Sequence, residues 1–153
     1  MIGKDELQSY IPHRGKMLLL SSVKEYNLEE QRLCAEHHVT EDCIFYDPSL
    51  GGVPAWAGFE FIAQAISVLS GIKCRALGQK PKMGFILSIP SMKMYLPFFK
   101  LGSKVEIYVK EIDRVDLIYS FDGEAFIGGK KAIEGKLMVM EINEEKWETD
   151  FAE

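Results

Sequence analysis

Residues 55–77 read AWAGFEFIAQAISVLSGIKCRAL, and the fold depends on how this stretch is interpreted. It contains no proline and is too long for one strand, so it predicts a helix of about 34 Å at the usual rise per residue. Apolar side chains fall on nearly every side of that helix, which is typical of a helix buried in a core. Gly78 follows the stretch and marks its predicted end.

The flanking sequence favours strands. A helical turn over 4–9, two short strands over 17–26 and 31–40, and a loop over 45–54 precede the helix. After it the apolar pattern takes a period of two, with strand-like runs at 83–96, 105–110, 117–121 and from 133 to about 141. The order predicts an α+β protein in which an antiparallel sheet wraps around one hydrophobic helix.

Two features refine this plan. Pro90 and Pro97 predict a break and a sheet edge in the first run after the helix, because proline cannot donate to a strand ladder. Gly128-Gly129, between two later runs, predicts a hairpin.

The composition fits one domain over residues 1–153, with a loosely held acidic tail from about 143 whose expected anchor is Trp147. Three scattered cysteines without metal-ligand spacing are typical of reduced thiols in a cytoplasmic protein, and no metal site is expected. The N-terminus does not resemble a secretion signal. No uninterrupted apolar run of about 18 residues occurs, so no membrane span is expected.

The net charge of −5 conceals a basic segment. No acidic residue occurs between Phe61 and Val105, whereas the bases there are Lys73, Arg75, Lys80, Lys82, Lys93, Lys100 and Lys104. This pattern indicates either a solvated basic face or a docking surface for an acidic or phosphorylated partner. Nucleic acid fits poorly, because the protein is acidic and the bases do not alternate with aromatic residues.

The candidate site lies on the predicted helix. Glu60, Gln64 and Ser67 are spaced i, i+4 and i+7 and form one polar stripe on an apolar cylinder. Burial favours the protonated form of a carboxyl group, and a neutral acid can donate a proton to a leaving group. Alternatively, Glu60 only complements the dipole of the first helical turn.

A Gly-Gly pair, Gly51 and Gly52, precedes the helix. Glycines near a helix N-terminus can bring backbone N–H groups close to a ligand carbonyl, although such a pair is more often only a turn.

Four segments carry a family resemblance: YIPHRGKMLLLSSV (10–23), GFEFIAQA (58–65), MGFILSIPSMKMYLPFFKLGSKVEI (83–107) and FDGEAFIGGKKAIEGKLMV (121–139). They resemble β-hydroxyacyl-ACP dehydratases of the FabZ type, through the Pro-His-Arg and Glu-x-x-x-Gln pieces above all. The segment after the helix looks most like a diverged branch associated with aryl-polyene clusters.

The resemblance implies a hotdog fold and a dimer, homomeric or heteromeric, with active sites at the subunit interface. It implies acyl substrates carried on the phosphopantetheine of acyl carrier protein or coenzyme A, and no resident cofactor. By the same analogy Glu60 protonates the departing hydroxyl and Gln64 orients Glu60. Gln64, Gly51, Gly52 and Trp56 are the predicted substrate-binding residues.

The family's catalytic histidine, in a Gly-His-Phe-Pro motif ahead of the helix, is absent from this sequence. His13 is a candidate replacement base, with a packing role as the alternative. His37 and His38 are consecutive on a predicted strand, so at most one of them points inward. Tyr46 and Asp47 stand nearest to the missing position, but a tyrosine base would need a strongly lowered pKa.

Three functions follow as hypotheses. The first is dehydration of a 3-hydroxyacyl thioester with Glu60 as acid and an atypical base. The second is a catalytically incomplete hotdog subunit that binds acyl carrier protein or a partner dehydratase. The third is an acyl thioesterase.

Overall fold

An antiparallel sheet packs against one long helix in the computed structural model, which describes residues 1–142 and, of Met83, the backbone alone. The helices are α1 (Lys4–Leu7) and α2 (Gly58–Ala76), with 3-10 turns at Gly15–Met17 and Ala55–Ala57. The strands are β1 (Ile2–Gly3), β2 (Ser22–Asn27), β3 (Arg32–His38), β4 (Gly52–Pro54), β5 (Met83–Met94), β6 (Phe98–Lys100), β7 (Lys104–Val115), β8 (Ile118–Ile127) and β9 (Lys130–Ile142).

Seven of these strands form one sheet in the order β1-β2-β3-β7-β8-β9-β5, and β4 pairs with β6 in a short ribbon. The pairs within the sheet are antiparallel throughout. The predicted α+β architecture is confirmed. The predicted tail from 143, with Trp147, lies outside the described residues.

Helix α2 forms where the sequence predicts it, preceded by a 3-10 turn that contains Trp56. Its core-facing side is formed by Phe61, Ile62, Ala65, Val68 and Leu69, all of which are buried. The sheet approaches closely at Gly123 on β8, where an added Cβ would meet the Ile62 Cγ2 atom at 2.5 Å. The helix ends before Gly78, whose φ of +67° is readily adopted by glycine.

By length and composition alone, the segment Ala55–Ala76 could cross a membrane, since its mean hydropathy reaches 1.3. This test averages over polar residues as well, so it does not contradict the expectation that no uninterrupted apolar run spans a membrane. In the fold 67% of the apolar window is buried inside the protein. A buried core helix passes the same test of composition, so this segment is weak evidence for a membrane span.

The strand predictions hold with two corrections. The first predicted strand begins only at Ser22, because Met17 belongs to a 3-10 turn and residues 18–20 are buried in extended connecting chain. The predicted loop over 45–54 ends in β4, which pairs with β6 through Val53 and Phe99. The Gly128-Gly129 hairpin is confirmed between β8 and β9, with both glycines at positive φ.

Strand β5 lies at the edge of the sheet, as Pro90 predicts. Its pairing with β9 shifts register between Ile86 and Ser91, a stretch that includes Pro90. Apolar side chains on this strand are exposed, among them Ile86, Leu87 and Ile89. Within residues 1–142 no other strand pairs with the outer edge of β5.

Candidate active site

The predicted polar stripe of α2 lines an elongated cleft of about 690 Å³. One wall is the helix, another is segment 8–14, and the third comes from β5 and β9. The side chains that face the cleft from α2 are Glu60, Ala63, Gln64, Ile66, Ser67 and Ser70. The stripe is confirmed as one face of the helix, and most of the residues it presents are small or polar.

Segment 8–14 is fixed to α2 by close backbone contact. Gly71 makes this possible, because a Cβ there would lie 2.4 Å from the carbonyl oxygen of Tyr10. The Arg75 guanidinium donates to the Ser9 carbonyl over 2.9 Å and lies 4.1 Å from the Tyr10 ring centroid. Arg14 donates to the carbonyl of Ile11 over 2.7 Å. These contacts hold the Pro-His-Arg segment against the cleft.

Glu60 lies in the first turn of α2, and its carboxylate belongs to the cleft wall. It is half-buried in the single chain rather than enclosed by the apolar residues that flank it in sequence. The burial that the apolar neighbours suggest is therefore only partly realised in this chain. The sequence neighbours Phe59 and Phe61 leave the helix in other directions, and Phe61 packs into the core against Phe99.

Gln64 is only 1% exposed, and both the oxygen and the nitrogen of its amide form hydrogen bonds with backbone groups. Its Oε1 accepts from the Leu19 N–H over 2.9 Å, and its Nε2 donates to the Met17 carbonyl over 2.7 Å. The predicted role of orienting Glu60 is thus corrected: Gln64 anchors segment 17–19 to the helix. An extended segment has backbone groups to satisfy, and a buried amide satisfies two of them.

His13 lines the same cleft as Glu60. Its Nδ1 atom is buried and has no hydrogen-bond partner among residues 1–142. The structure therefore places the two predicted catalytic residues, Glu60 and His13, along one cleft, and their catalytic roles stay predictions. A neutral imidazole protonated at Nε2 would present the lone pair of Nδ1 as an acceptor.

His37 and His38 point to opposite sides of β3, as predicted. His38 is exposed and its Nε2 lies 3.1 Å from Glu36. His37 is buried and stacks on Phe61 with ring centroids 4.2 Å apart. Its Nδ1 donates to the Leu19 carbonyl over 2.6 Å, which leaves Nε2 buried and without a partner in the described part of the chain. Burial lowers the pKa of His37 and favours the neutral ring.

Gly51 and Gly52 have a structural explanation. Both N–H groups donate to the Asp47 carbonyl, over 3.0 and 3.4 Å, as part of a turn, and their approach to a ligand stays a prediction. A Cβ at Gly52 would lie 2.1 Å from the Phe99 carbonyl oxygen. Trp56 is 54% exposed, packs edge-on against Phe45, and is not part of the cleft lining.

Tyr46 and Asp47 do not line the cleft either. The Asp47 carboxylate accepts from the N–H and the hydroxyl of Ser49, and these hydrogen bonds hold its pKa below the ordinary value. These hydrogen bonds give the Asp47 carboxylate a structural role in the tight turn ahead of β4.

A residue that the sequence analysis missed lies elsewhere in the cleft. Glu141 is 7% exposed and lines the cleft with Ser70 and Lys82. Its position in the sequence could have indicated that it faces inward, because it continues the alternating inward-facing series Leu137 and Val139 on β9.

Among residues 1–142 no group of three or more His, Cys, Asp or Glu is placed to hold a metal ion. The absence of a resident metal or cofactor nevertheless remains an expectation.

An antiparallel sheet packed around one central helix is the architecture of the hotdog fold. A family model described as ApeP-like, ApeP dehydratase, matches residues 5–150, and the chain belongs to this family. The expected superfamily and its diverged branch are thereby confirmed, and the protein is a hydroxyacyl dehydratase-like protein.

Relatives of known family are similar in sequence to most of this chain. The FabZ 3-hydroxyacyl-acyl-carrier-protein dehydratase of Chlamydia trachomatis is 28% identical over 152 residues, covering 95% of both proteins. The FabZ of Erythrobacter litoralis is 29% identical over 133 residues, covering 85% of this chain and 86% of its own length.

Solved structures agree with the fold. A chain of the dehydratase heterocomplex ApeI:P from Xenorhabdus doucetiae gives a TM-score of 0.84 at 24% identity, covering 94% of this chain and 95% of that one. A hypothetical thioesterase with coenzyme A from Streptococcus pneumoniae gives a TM-score of 0.61 at 12% identity, covering 80% and 85%. At such identities the likeness concerns the fold alone.

Proposed function

We propose that this protein removes water from a 3-hydroxyacyl thioester, with Glu60 as general acid and His13 as general base. The observation that supports this proposal is that both side chains line one cleft, one from α2 and the other from segment 8–14. A neutral imidazole has one unprotonated ring nitrogen, and that nitrogen of His13 can accept the proton.

The reaction then proceeds by two proton transfers. The proton on C2 of the acyl chain passes to the unprotonated ring nitrogen of His13, and the C–H electron pair forms the C2–C3 double bond. The C3–O bond breaks as the hydroxyl oxygen takes the proton of the Glu60 carboxyl and leaves as water. The products are an enoyl thioester, an imidazolium and a carboxylate, and one proton returned from His13 to Glu60 restores the starting state.

The substrate reaches the cleft on a phosphopantetheine arm, from either acyl carrier protein or coenzyme A, and no resident cofactor takes part. The names of the relatives are consistent with a carrier protein. Two of the bases at the end of α2 are engaged within the chain, since Lys73 lies 3.8 Å from Glu111 and Arg75 binds the Ser9 carbonyl. Lys80 is exposed and is the stronger candidate for contact with an acidic carrier.

A second hotdog subunit pairs with β5 in this proposal. An edge strand with exposed Ile86, Leu87 and Ile89 is a template for pairing with another chain. The similar solved chain belongs to a dehydratase heterocomplex, which favours a partner of different sequence. The three free thiols, Cys34, Cys43 and Cys74, suit a cytoplasmic location for this assembly.

The experiment gives the purified protein a 3-hydroxybutyryl thioester of acyl carrier protein and follows the enoyl product. Glu60→Gln and His13→Asn should each lower turnover by about a hundredfold or more, because each removes one proton transfer. Glu29→Gln, in an exposed turn, is the matched control for the acid. Full activity in Glu60→Gln would contradict the assignment of the acid, and full activity in His13→Asn that of the base.

The second candidate is a subunit that binds substrate or partner without completing the chemistry. The observation in its favour is that the stretch before α2 has no histidine, while Tyr46 and Asp47 lie off the cleft. Activity that appears only after a histidine-bearing hotdog partner is added, and that survives His13→Asn, would select this candidate. Release of free acid from acyl-CoA would instead select the thioesterase.

A further inference from the structure

The cleft has a second polar end, remote from Glu60. Ser70 lies ten residues further along α2, which is roughly 15 Å at the rise of a helix. Lys82, at the start of the return toward β5, and Glu141, near the end of β9, line the cleft together with Ser70. Nothing in the proposed proton transfers uses this far end.

The direction of Glu141 follows from strand geometry. On β9 the inward-facing positions alternate through Leu137 and Val139, so Glu141 points to the same side, toward α2. Its cross-strand neighbour on β5 is Gly84, which has no side chain to fill the adjacent space. A Cβ added at Gly84 would meet only a Val139 methyl at 3.8 Å, so the space beside the carboxyl is open.

Glu141 is held in a dry but hydrogen-bonding environment. Burial raises the pKa of the Glu141 carboxyl, and Glu111 adds to the rise. The hydrogen bond with the Ser70 hydroxyl and the charges of Lys82 and Lys73 act in the opposite direction. A carboxyl group and a hydroxyl group side by side offer both donors and acceptors to a third group.

The cleft between the two ends is suited to an acyl chain. The apolar groups that line it come from Ala63 and Ile66 on α2, Phe85 and Ile86 on β5, and Val139 on β9. A chain bound with its thioester end at Glu60 would run along these side chains and reach Ser70 and Glu141 with its far end.

We propose that Glu141 and Ser70 are specificity-determining residues that select acyl chains whose far end carries a hydroxyl or another hydrogen-bonding group. This inference rests on the proposed function, because it takes the cleft as the acyl site. A chain ending in a methyl group would cover the carboxyl and the hydroxyl without offering either of them a hydrogen bond. A site built to bind a substrate hydroxyl discriminates strongly against an analogue that lacks it.

The test compares two pantetheine thioesters of equal chain length, about 15 Å when extended, that end in a hydroxyl and in a methyl group. Their affinities for the full-length protein, in the assembly in which it is purified, are measured by calorimetry. The hydroxyl-ended thioester should bind about tenfold or more tightly. Ser70→Ala and Glu141→Leu should each reduce that ratio toward one, whereas Ser120→Ala, on the outer face of β8, should preserve it.

Gly84→Leu provides an independent variant, because its side chain would fill the space beside Glu141. It should weaken the binding of both long thioesters. A 3-hydroxybutyryl thioester is too short to reach the far end, so its dehydration tests the proposed function separately. Equal binding of the two long thioesters by the unaltered protein would overturn the specificity inference and leave a dehydratase standing. If the unaltered protein bound neither long thioester, the assignment of the cleft as the acyl site would be overturned. If the affinity ratio of the two thioesters were unchanged in both Ser70→Ala and Glu141→Leu, these residues would have no role in specificity.

Discussion

The two ends of the cleft place a carboxyl group in opposite environments. At one end Glu60 is half-buried in the first turn of α2, beside the segment that carries His13. At the other end Glu141 is 7% exposed, and burial raises its pKa. One carboxyl group lies on a helix and the other on a strand, and both face the same elongated space.

The difference in burial between Glu60 and Glu141 suits one carboxyl group to proton transfer and the other to ligand recognition. A carboxyl group that gives and regains a proton in each turnover needs contact with a substrate, a base or water, and the Glu60 end supplies such contact. A group that only recognises a ligand discriminates best where water is excluded, because an unmade hydrogen bond is costly there. The far end, with Glu141 and Ser70, has that character.

The largest effect on stability is expected at Gln64, which lies between the two ends. Gln64→Leu keeps the volume but leaves the Leu19 N–H and the Met17 carbonyl without their partner. Each unsatisfied buried group costs about 1–3 kcal/mol, so denaturant unfolding should show a loss of about 2–6 kcal/mol. Gln79→Leu, at an exposed glutamine beyond the end of α2, is the matched control and should change stability little.

This variant also separates two roles for Gln64. If the amide served only to orient Glu60, turnover would fall while the unfolding free energy stayed unchanged. That result would contradict the anchoring role and restore the role implied by the family resemblance.

The helix and the polar stripe were predictable because their signals are local. Glu60, Gln64 and Ser67 share a face by the period of the helix alone. The partners of Gln64 were not predictable, since they lie 45 and 47 residues away in sequence, in a segment that was expected to be a strand. Local periodicity does not specify which distant backbone a buried amide will satisfy.

Glu141 illustrates a second limit. Alternation placed it on the inward side of its strand, but a polar residue at a strand end is usually read as the point where the strand leaves the core. Only the packing of α2 and the register with Gly84 put it inside a cleft. The glycine pair shows the converse: its signal for ligand binding was local, whereas the contact with Phe99 that requires Gly52 is not.

The pH dependence of stability offers a sharper comparison of the two carboxyl groups. Because burial raises the pKa of Glu141 in the folded state, the unfolded chain loses this proton first, and folding becomes less favourable as pH rises through the folded value. Glu141→Gln cannot ionise and escapes this loss. The difference in unfolding free energy, variant minus unaltered protein, should therefore shift in favour of the variant as pH rises from about 4 to 7.

Glu29→Gln, in an exposed turn, is the control for that measurement and should give a difference that varies little with pH. Lys73, Lys82 and Glu111 face Glu141, so the series is repeated in Glu111→Gln to remove the other titrating acid. A difference for Glu141→Gln that moves in favour of the unaltered protein with rising pH would show that the nearby lysines outweigh burial. The far end would then be an ion-pair site rather than a dry one.

The smallest effect is expected outside the cleft, at the basic end of α2. Lys80→Glu should reduce turnover of a carrier-protein thioester a few-fold at low salt and leave the matching pantetheine thioester unaffected, because long-range attraction acts on the acidic carrier alone. The effect should fade as ionic strength rises and the Debye length falls. Lys110→Glu, on the exposed face of β7, makes the same change of charge away from this helix and is the control. An equal loss with both substrates would indicate a damaged fold, whereas an equal effect of the two lysine variants would mean that the carrier responds to net charge and not to a docking surface at α2.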